Sequence, residues 1–148
     1  MIYMNPVKTV SLVYGYSARN AGDFAITLGA IDVLLSFGIK VKLFSRYSRS
    51  NLDYHQALET LNQRYGNHIE VFTLDRTDSM IKTLKNYTEG LFTIMGIIRK
   101  RRFRRQLLDS DMIIFNGGNL FRCNSIIDFT RLLALMYPLQ VAQKNGKK

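Results

Sequence analysis

The sequence alternates short, apolar, β-rich runs with segments of helical periodicity, and this alternation limits the fold more than any other feature. The four runs are residues 7–14, 39–45, 68–74 and 111–115. Strands that alternate with helices predict βαβ units and a parallel sheet covered on both faces. Near-continuous apolar runs such as "SLVY" and "IIF" are typical of strands buried on both sides. We therefore predict an α/β fold, a Rossmann-like parallel sheet in three layers.

Helix boundaries follow from apolar spacing and from glycines. We expect one helix over residues 22–37 that stops at Gly38, and an amphipathic helix over residues 51–65. Residues 78–108 are too long for one ordinary helix and should contain a break. A further helix should begin at Ser125 and be interrupted near Pro138.

The end of the sequence, "AQKNGKK", is typical of a helix C-terminus, with Gly146 in the position that follows the cap. In a doubly wound sheet the next element would be a strand. We therefore expect residues 1–148 to form a single domain that is the truncated N-terminal half of a two-domain enzyme.

Composition excludes several classes of protein. With 148 residues, 47% of them apolar, the chain is long enough for one globular core. One cysteine, Cys123, excludes an internal disulfide and fits a reducing compartment. Neither a signal peptide nor an apolar run long enough to span a membrane is present, so we expect a cytoplasmic protein. His55 and His68 lack partners at metal-ligand spacing, which predicts no metal site.

The stretch "YSARNAGDFAI", residues 16–26, follows the first predicted strand and could be a phosphate loop. A dinucleotide fingerprint requires G-x-G-x-x-G, whereas Gly15 and Gly22 stand seven positions apart. A Walker loop requires Gly-Lys-Ser/Thr, and Gly22 precedes Asp23, whose charge would repel a phosphate. Both nucleotide interpretations therefore fail. The simplest alternative is a turn in which Asn20 caps the helix and Gly22 permits close packing.

A second segment, "DSDMIIFNGGNLFRCNS", places Gly117, Gly118 and Asn119 after a strand that ends at Asn116. Ligands of open parallel sheets bind at the carboxyl ends of strands, and glycines there let a ligand lie against the backbone. Gly-Gly also occurs in ordinary turns, so this segment alone leaves both interpretations open.

Together, the two segments and their spacing resemble the polysaccharide pyruvyl transferase family. Members begin with a strand and an Asn-x-Gly-Asp loop that opens a helix, and later carry Asp-x-x-x-x-x-Gly-Gly ahead of Leu-Phe. The corresponding residues are Asn20, Gly22 and Asp23, followed by Asp111, Gly117, Gly118, Leu120 and Phe121. The resemblance covers essentially the whole chain but only the N-terminal half of a typical member. Phe24 departs from the pattern, since members usually carry Glu there.

The resemblance implies the N-terminal lobe of a two-lobed, glycosyltransferase-B-like enzyme. Such enzymes transfer pyruvyl from phosphoenolpyruvate to a sugar of a surface polysaccharide, forming a ketal. The residues that handle phosphoenolpyruvate lie mainly in the second lobe, so catalytic residues stay unassigned and no cofactor is expected beyond this donor substrate. This chain would bind the saccharide acceptor, with Arg19 and Arg122 as anion contacts. The predicted substrate-binding residues are Arg19, Asn20, Gly22, Asp23, Asn116, Gly117, Gly118, Asn119 and Arg122.

The run "RKRRFRR" at residues 99–105 supplies six basic residues to a net charge of +10. It follows the apolar octet 91–98, and this combination is typical of a peripheral contact with anionic lipid, which would suit a lipid-linked acceptor. A solvated helix end is the alternative. Nucleic acid is less favoured, because Phe103 is the only aromatic residue in the run. The predicted patch comprises Arg99, Lys100, Arg101, Arg102, Arg104 and Arg105.

Two other functions stay open at this stage. One is a sugar-nucleotide glycosyltransferase of the same two-lobed shape, which would carry a nucleotide-binding acidic residue in its other lobe. The other is a basic membrane- or nucleic-acid-binding module without enzymatic activity.

Overall fold

The computed structural model describes residues 6–15, 19–45, 47, 49–73, 101–116, 124–126, 129, 132 and 135–147, with the backbone alone for residues 101–103. The elements in chain order are β1 (Thr9–Gly15), α1 (Ala21–Ser36), β2 (Lys40–Ser45), α2 (Leu52–Tyr65), a 3-10 turn (Gly66–His68), β3 (Ile69–Thr73), α3 (Arg101–Leu108), β4 (Met112–Phe115) and α4 (Tyr137–Lys144). Residues 126, 129, 132 and 135 are also helical.

The four strands form one sheet in the order β3-β2-β1-β4, and every pairing in it is parallel. Val10 of β1 lies opposite Val41 of β2 on one side and Met112 of β4 on the other. This arrangement confirms the predicted α/β fold with a parallel, Rossmann-like sheet.

Helices α1 and α2 cover one face of the sheet. Leu12 and Leu43 on this face pack with Ile31 of α1 and Leu61 of α2, and all four side chains are almost completely buried. Burying one such side chain stabilises the fold by about 1.5 to 3 kcal/mol. The apolar spacing predicted for both helices therefore describes the faces that meet the sheet.

Helices α3 and α4 cover the opposite face. Val13 and Phe44 pack there with Leu107 of α3 and with Val141 and Ala142 of α4. The two helical layers and the sheet between them make up the three layers expected from the sequence.

Two polar contacts hold the C-terminal end of α3 against the sheet. The side chain of Lys42, which is only 10% exposed, forms an ion pair with the carboxylate of Asp109. Beside it, the hydroxyl of Ser11 donates to the hydroxyl of Ser110 at 2.8 Å. The pKa of Asp109 lies below its ordinary value, mainly because its carboxylate accepts the hydrogen bond from Lys42. The buried amine is therefore paired, as a charge inside a protein must be.

The predicted helix stops occur where glycine takes a left-handed conformation. Gly38 has φ +70° after α1, and Gly146 has φ +63° after α4. In both cases the next residue closes the turn: Ile39 N–H donates to the Leu34 carbonyl, and Lys147 N–H donates to the Ala142 carbonyl. These are Schellman motifs, which satisfy carbonyls that a helix end leaves unpaired. Pro138 lies in the first turn of α4, after a break at Met136, also as expected.

Candidate functional site

The order of strands reverses between β1 and β4. From β1 the chain passes through α1 to β2 on one side, whereas β4 lies on the other side. In open α/β sheets ligands bind in the crevice at such a switch point, beyond the carboxyl ends of the strands. Because β1 and β4 are neighbouring parallel strands, the chain leaves both of them at the same edge of the sheet. The first segment singled out in the sequence begins there, and the second reaches this edge at Asn116, after β4.

The first helical turn of α1 is closed by Asn20 and Asp23. Asn20 is the N-cap: its side-chain oxygen accepts from the Asp23 backbone N–H at 3.4 Å, and its amide donates to the Asp23 carboxylate at 2.5 Å. Asp23 is the third helical residue, so the capping interpretation of this turn describes the local structure. The Asp23 carboxylate also complements the positive end of the helix dipole.

Gly22, by contrast, is not required by the packing of the described residues. It is exposed, and the nearest atom to a Cβ built at this position would be the Asn20 side-chain oxygen, 4.0 Å away. Close packing against the described residues therefore does not account for this glycine. Gly22 has no side chain that could cover the first N–H groups of the helix, whereas those of Asp23 and Phe24 already donate to Asn20.

Asn116 connects the end of β4 to β1 and α1. Its backbone N–H donates to the Val13 carbonyl at 2.9 Å, and its side-chain amide donates to the Thr27 hydroxyl at 2.5 Å and to the Tyr14 carbonyl at 3.4 Å. The Thr27 hydroxyl in turn donates to the Asp23 carbonyl at 3.0 Å. A continuous chain of hydrogen bonds thus joins the two candidate segments inside the protein.

The remaining side-chain oxygen of Asn116 has no hydrogen-bond partner among the described residues, although the residue is only 2% exposed. The orientation of the amide follows from its partners, because the Thr27 hydroxyl donates to Asp23 and must accept from Asn116. Buried acceptors of this kind are almost always paired in folded proteins. The oxygen therefore has the capacity to accept one more hydrogen bond.

The end of β1 is irregular. The register with β2 shifts between Val13 and Gly15, which leaves Tyr14 in a bulge with φ +70°. This conformation costs a non-glycine residue about 1 to 3 kcal/mol. The Tyr14 hydroxyl compensates by donating to the Leu135 carbonyl at 2.8 Å, and its ring meets Phe115 edge-on at 5.2 Å. The bulge therefore fixes how the chain leaves β1 toward α1.

Gly15, next to the bulge, touches β2. A Cβ at this position would lie 3.0 Å from a methyl carbon of Leu43, closer than packed carbon atoms approach. Sequence reasoning missed the contributions of Tyr14, Gly15 and Thr27. The signal for Thr27 was available, since it is a polar residue on the apolar stripe of α1.

Arg19 forms an ion pair with Asp53 in the first turn of α2, with 2.9 Å between Nε and Oδ1. The Asp53 side chain is mostly buried, whereas that of Arg19 is 64% exposed. Asn51 caps this turn by accepting from the Asp53 backbone N–H at 2.8 Å. The residue predicted as an anion contact therefore links the segment before α1 to the start of α2.

Asp111, which belongs to the motif carrying the resemblance, lies at the opposite edge of the sheet. Its carboxylate accepts from the backbone N–H groups of Lys8 and Thr9, both at 2.9 Å. These two hydrogen bonds hold the pKa of Asp111 below its ordinary value. Asp111 joins the start of β1 to the start of β4, and its role in the described structure is to hold this pairing in place.

Other predicted site residues lie outside the described residues. They are Gly117, Gly118, Asn119 and Arg122 of the second segment, and Arg99 and Lys100 of the basic run. Arg101 and Arg102 are helical in their backbone, while Arg104 is half-buried and Arg105 exposed.

No helix within the described ranges has the length and apolar character that a membrane span needs.

The described residues contain no group of three or more His, Cys, Asp and Glu side chains that could hold a metal ion. Comparison with known proteins adds no assignment: the chain matches no protein-family model and has no significant match among curated proteins or solved structures.

Proposed function

We propose that this chain is the acceptor-binding lobe of a polysaccharide pyruvyl transferase-like enzyme, which transfers pyruvyl from phosphoenolpyruvate to a sugar hydroxyl pair. One observation carries the proposal. The segments that resemble the family both reach the carboxyl ends of two neighbouring parallel strands, and the hydrogen bonds from Asn116 through Thr27 to Asp23 connect them there. Two segments about a hundred residues apart in the sequence thereby meet at the edge where parallel sheets bind ligands.

The chemistry of this edge favours a sugar over a phosphate. The exposed first turn of α1 offers backbone N–H donors beside the Asp23 carboxylate, and Gly22 leaves room for a ligand to approach them. Sugar hydroxyls both donate and accept, so they can use both groups. A phosphate at the same place would meet the negative charge of Asp23, which opposes its binding. This difference supports the acceptor side of the reaction rather than the donor side.

The second segment completes the proposed site. The side-chain oxygen of Asn116 is buried at the end of β4 and has no hydrogen-bond partner among the described residues. By resemblance, Gly117, Gly118, Asn119 and Arg122 extend the surface beyond it. Arg19 contributes from a position that Asp53 holds, so in this proposal the ion pair orients the arginine toward the crevice.

Saccharide titrations of the isotope-labelled chain, followed by NMR, test the proposal. Glucose, galactose, mannose and N-acetylmannosamine serve as probes, and phosphoenolpyruvate alone is a separate arm. We expect at least one sugar to shift the backbone amide signals of residues 20–23 and 116. Phosphoenolpyruvate should leave these signals unchanged, because the residues that handle it are expected mainly in the second lobe.

The chain offers a matched control for this experiment. Asn20 and Asn51 are both N-caps whose side chains accept from a backbone N–H in the first turn. Replacing either by Ala should destabilise its helix by about 1 kcal/mol, but Asn20→Ala should abolish the sugar-induced shifts, whereas Asn51→Ala should at most weaken them through the turn that holds Arg19. Equal losses in both variants would mean that the effect is one of stability. Shifts caused by phosphoenolpyruvate instead of sugars would contradict the assignment to the acceptor side.

A further inference from the structure

The sheet separates two helical layers of opposite charge. Helices α1 and α2 carry four carboxylates and one arginine, a net charge of −3. Helices α3 and α4 carry five basic residues and no carboxylate, a net charge of +5. We call these five residues the basic layer: Arg101, Arg102, Arg104, Arg105 and Lys144. The basic run seen in the sequence is thus one part of a face-to-face charge asymmetry.

Carboxylates near the basic layer are already engaged elsewhere. Asp109, directly after α3, pairs with the buried Lys42, and Asp111 accepts from the backbone of Lys8 and Thr9. Neither Arg104 nor Arg105 forms an ion pair with any carboxylate of the described residues. The positive charge of this face is therefore not neutralised within the described part of the chain.

Among the described side chains of α3, Arg105 is exposed and Arg104 is half-buried. Leu107 is fully buried against the sheet and Leu108 packs beside it, whereas Arg105 is exposed. Lys144 is exposed on α4, the neighbouring helix of the layer.

We propose that the basic layer binds the surface of an anionic membrane. Two helices side by side on a sheet present a broad face, which suits a planar partner, and the acidic layer on the far side orients the molecule. Ile126 and Phe129, one helical turn apart on the segment leading into α4, are 81% and 48% exposed and can enter the headgroup region. This inference does not depend on the function proposed for the sheet edge.

A nucleic acid is the competing partner for such a face. Proteins that bind single strands combine basic residues with aromatic side chains on which bases stack. In the described residues of α3 and α4 no aromatic side chain is exposed, since Tyr137 is half-buried, and Phe129 on the preceding helical segment is one exposed ring rather than a row of them. The observations therefore favour lipid headgroups, and the experiment distinguishes the two.

Vesicle sedimentation of the full chain tests the proposal. The vesicles contain phosphatidylcholine alone or with about one third phosphatidylserine, in about 0.1 M and about 0.5 M NaCl. We expect binding to the anionic vesicles only, and its loss at the higher salt concentration. The double variant Arg105→Gln, Lys144→Gln removes two exposed charges of the basic layer and should bind at least about tenfold more weakly.

The control removes two positive charges outside the basic layer. Lys40 and Arg49 are exposed, so Lys40→Gln, Arg49→Gln has the same net charge as the first variant. Its vesicle binding should stay within about twofold of the unmodified chain, and circular dichroism checks that both variants fold. Equal weakening in both variants would overturn the proposal, as would binding that persists at high salt. Binding to a short single-stranded oligonucleotide, without binding to anionic vesicles, would assign the face to nucleic acid and also overturn it.

Discussion

The side-chain amide of Asn116 donates a hydrogen bond to the hydroxyl of Thr27, with 2.5 Å between the two atoms. This contact joins residues 89 positions apart in the sequence and lies in the interior of the protein. Because the Thr27 hydroxyl also donates to the Asp23 carbonyl, hydrogen bonds join the first turns of α1 to the end of β4 in one polar unit. The geometry of the candidate site depends on this unit.

Replacement of Thr27 by Val should destabilise the fold by about 1 to 3 kcal/mol, because the buried Asn116 amide loses its acceptor. Urea denaturation measures the change in the free energy of unfolding. Thr60 is a suitable control: its hydroxyl donates to the carbonyl four residues earlier in α2, as that of Thr27 does in α1, but at a half-buried position where the hydrogen bond is exposed to solvent. Thr60→Val should change stability by less than about 0.5 kcal/mol. Similar values for both variants would show that Asn116 does not depend on Thr27.

Two glycine substitutions should have opposite effects on stability. Gly15→Ala places a methyl group 3.0 Å from Leu43 and should destabilise the fold by about 1 to 3 kcal/mol. Gly29 lies inside α1, and a methyl group added there would have no neighbouring atom of the described residues within 4 Å. Gly29→Ala should therefore stabilise the fold by about 0.5 to 1 kcal/mol.

Thermal denaturation of both variants checks these signs. Adding Leu43→Val to Gly15→Ala should recover part of the lost stability, because the smaller side chain leaves room for the added methyl group. If Gly15→Ala is neutral by itself, the close approach of β1 to β2 is not as the structure describes it.

The stability of the fold should depend on pH in acid, because Asp111 holds the start of the sheet only when its carboxyl group is ionised. Its pKa is lowered in the folded protein by hydrogen bonds from the Lys8 and Thr9 backbone. A carboxyl group with a lowered folded pKa stabilises the protein above its unfolded pKa of about 3.9, and this contribution is lost as the pH falls through the folded pKa. We therefore expect the free energy of unfolding to decrease as the pH falls below about 4.

Urea denaturation between about pH 6 and about pH 3 measures this decrease. Asp111→Asn should be less stable than the unmodified chain near neutral pH and should show a smaller decrease in acid. Glu59→Gln, an exposed change on α2, should retain the decrease. An unchanged acid response in Asp111→Asn would rule out this carboxylate as a contributor.

Tyr65, which lies between α1 and α2, should make the stability of the fold decrease in alkali, whereas Asp111 makes it decrease in acid. Burial, followed by the hydrogen bond to Asp32 at 2.8 Å, raises the pKa of Tyr65 to about 12. The pKa of Tyr65 in the folded protein lies above the unfolded value of about 10. The stabilisation of the fold by the protonated hydroxyl is therefore complete below about pH 10 and is lost as the pH rises toward 12.

Comparison of the unmodified chain with Tyr65→Phe isolates this contribution, because other groups that titrate in alkali cancel in the difference. The stability advantage of the tyrosine should be constant below about pH 9 and should shrink between about pH 10 and pH 12. An advantage that stays constant across this range would show that the hydroxyl ionises equally well in the folded and unfolded chain.

Local features of the chain are determined by the sequence itself. The alternation of strands and helices, the Asn20 cap, the glycine stops at Gly38 and Gly146 and the break before Pro138 all follow from short-range backbone preferences. Such preferences act over one helical turn or one strand, so they can be recognised without knowing what the segment packs against. The clustering of basic residues at 99–105 is likewise a property of the sequence.

The tertiary structure decided which of these local features meet. It placed β4 beside β1, which brings two distant segments to one edge of the sheet, and it placed Asp111 at the other edge, where its carboxylate holds backbone N–H groups. It also paired Arg19 with Asp53, joined Asn116 to Thr27, and put the basic helices on the face opposite the acidic ones. These relationships arise from contacts between residues far apart in the sequence, and a spacing rule confined to one segment carries no information about them.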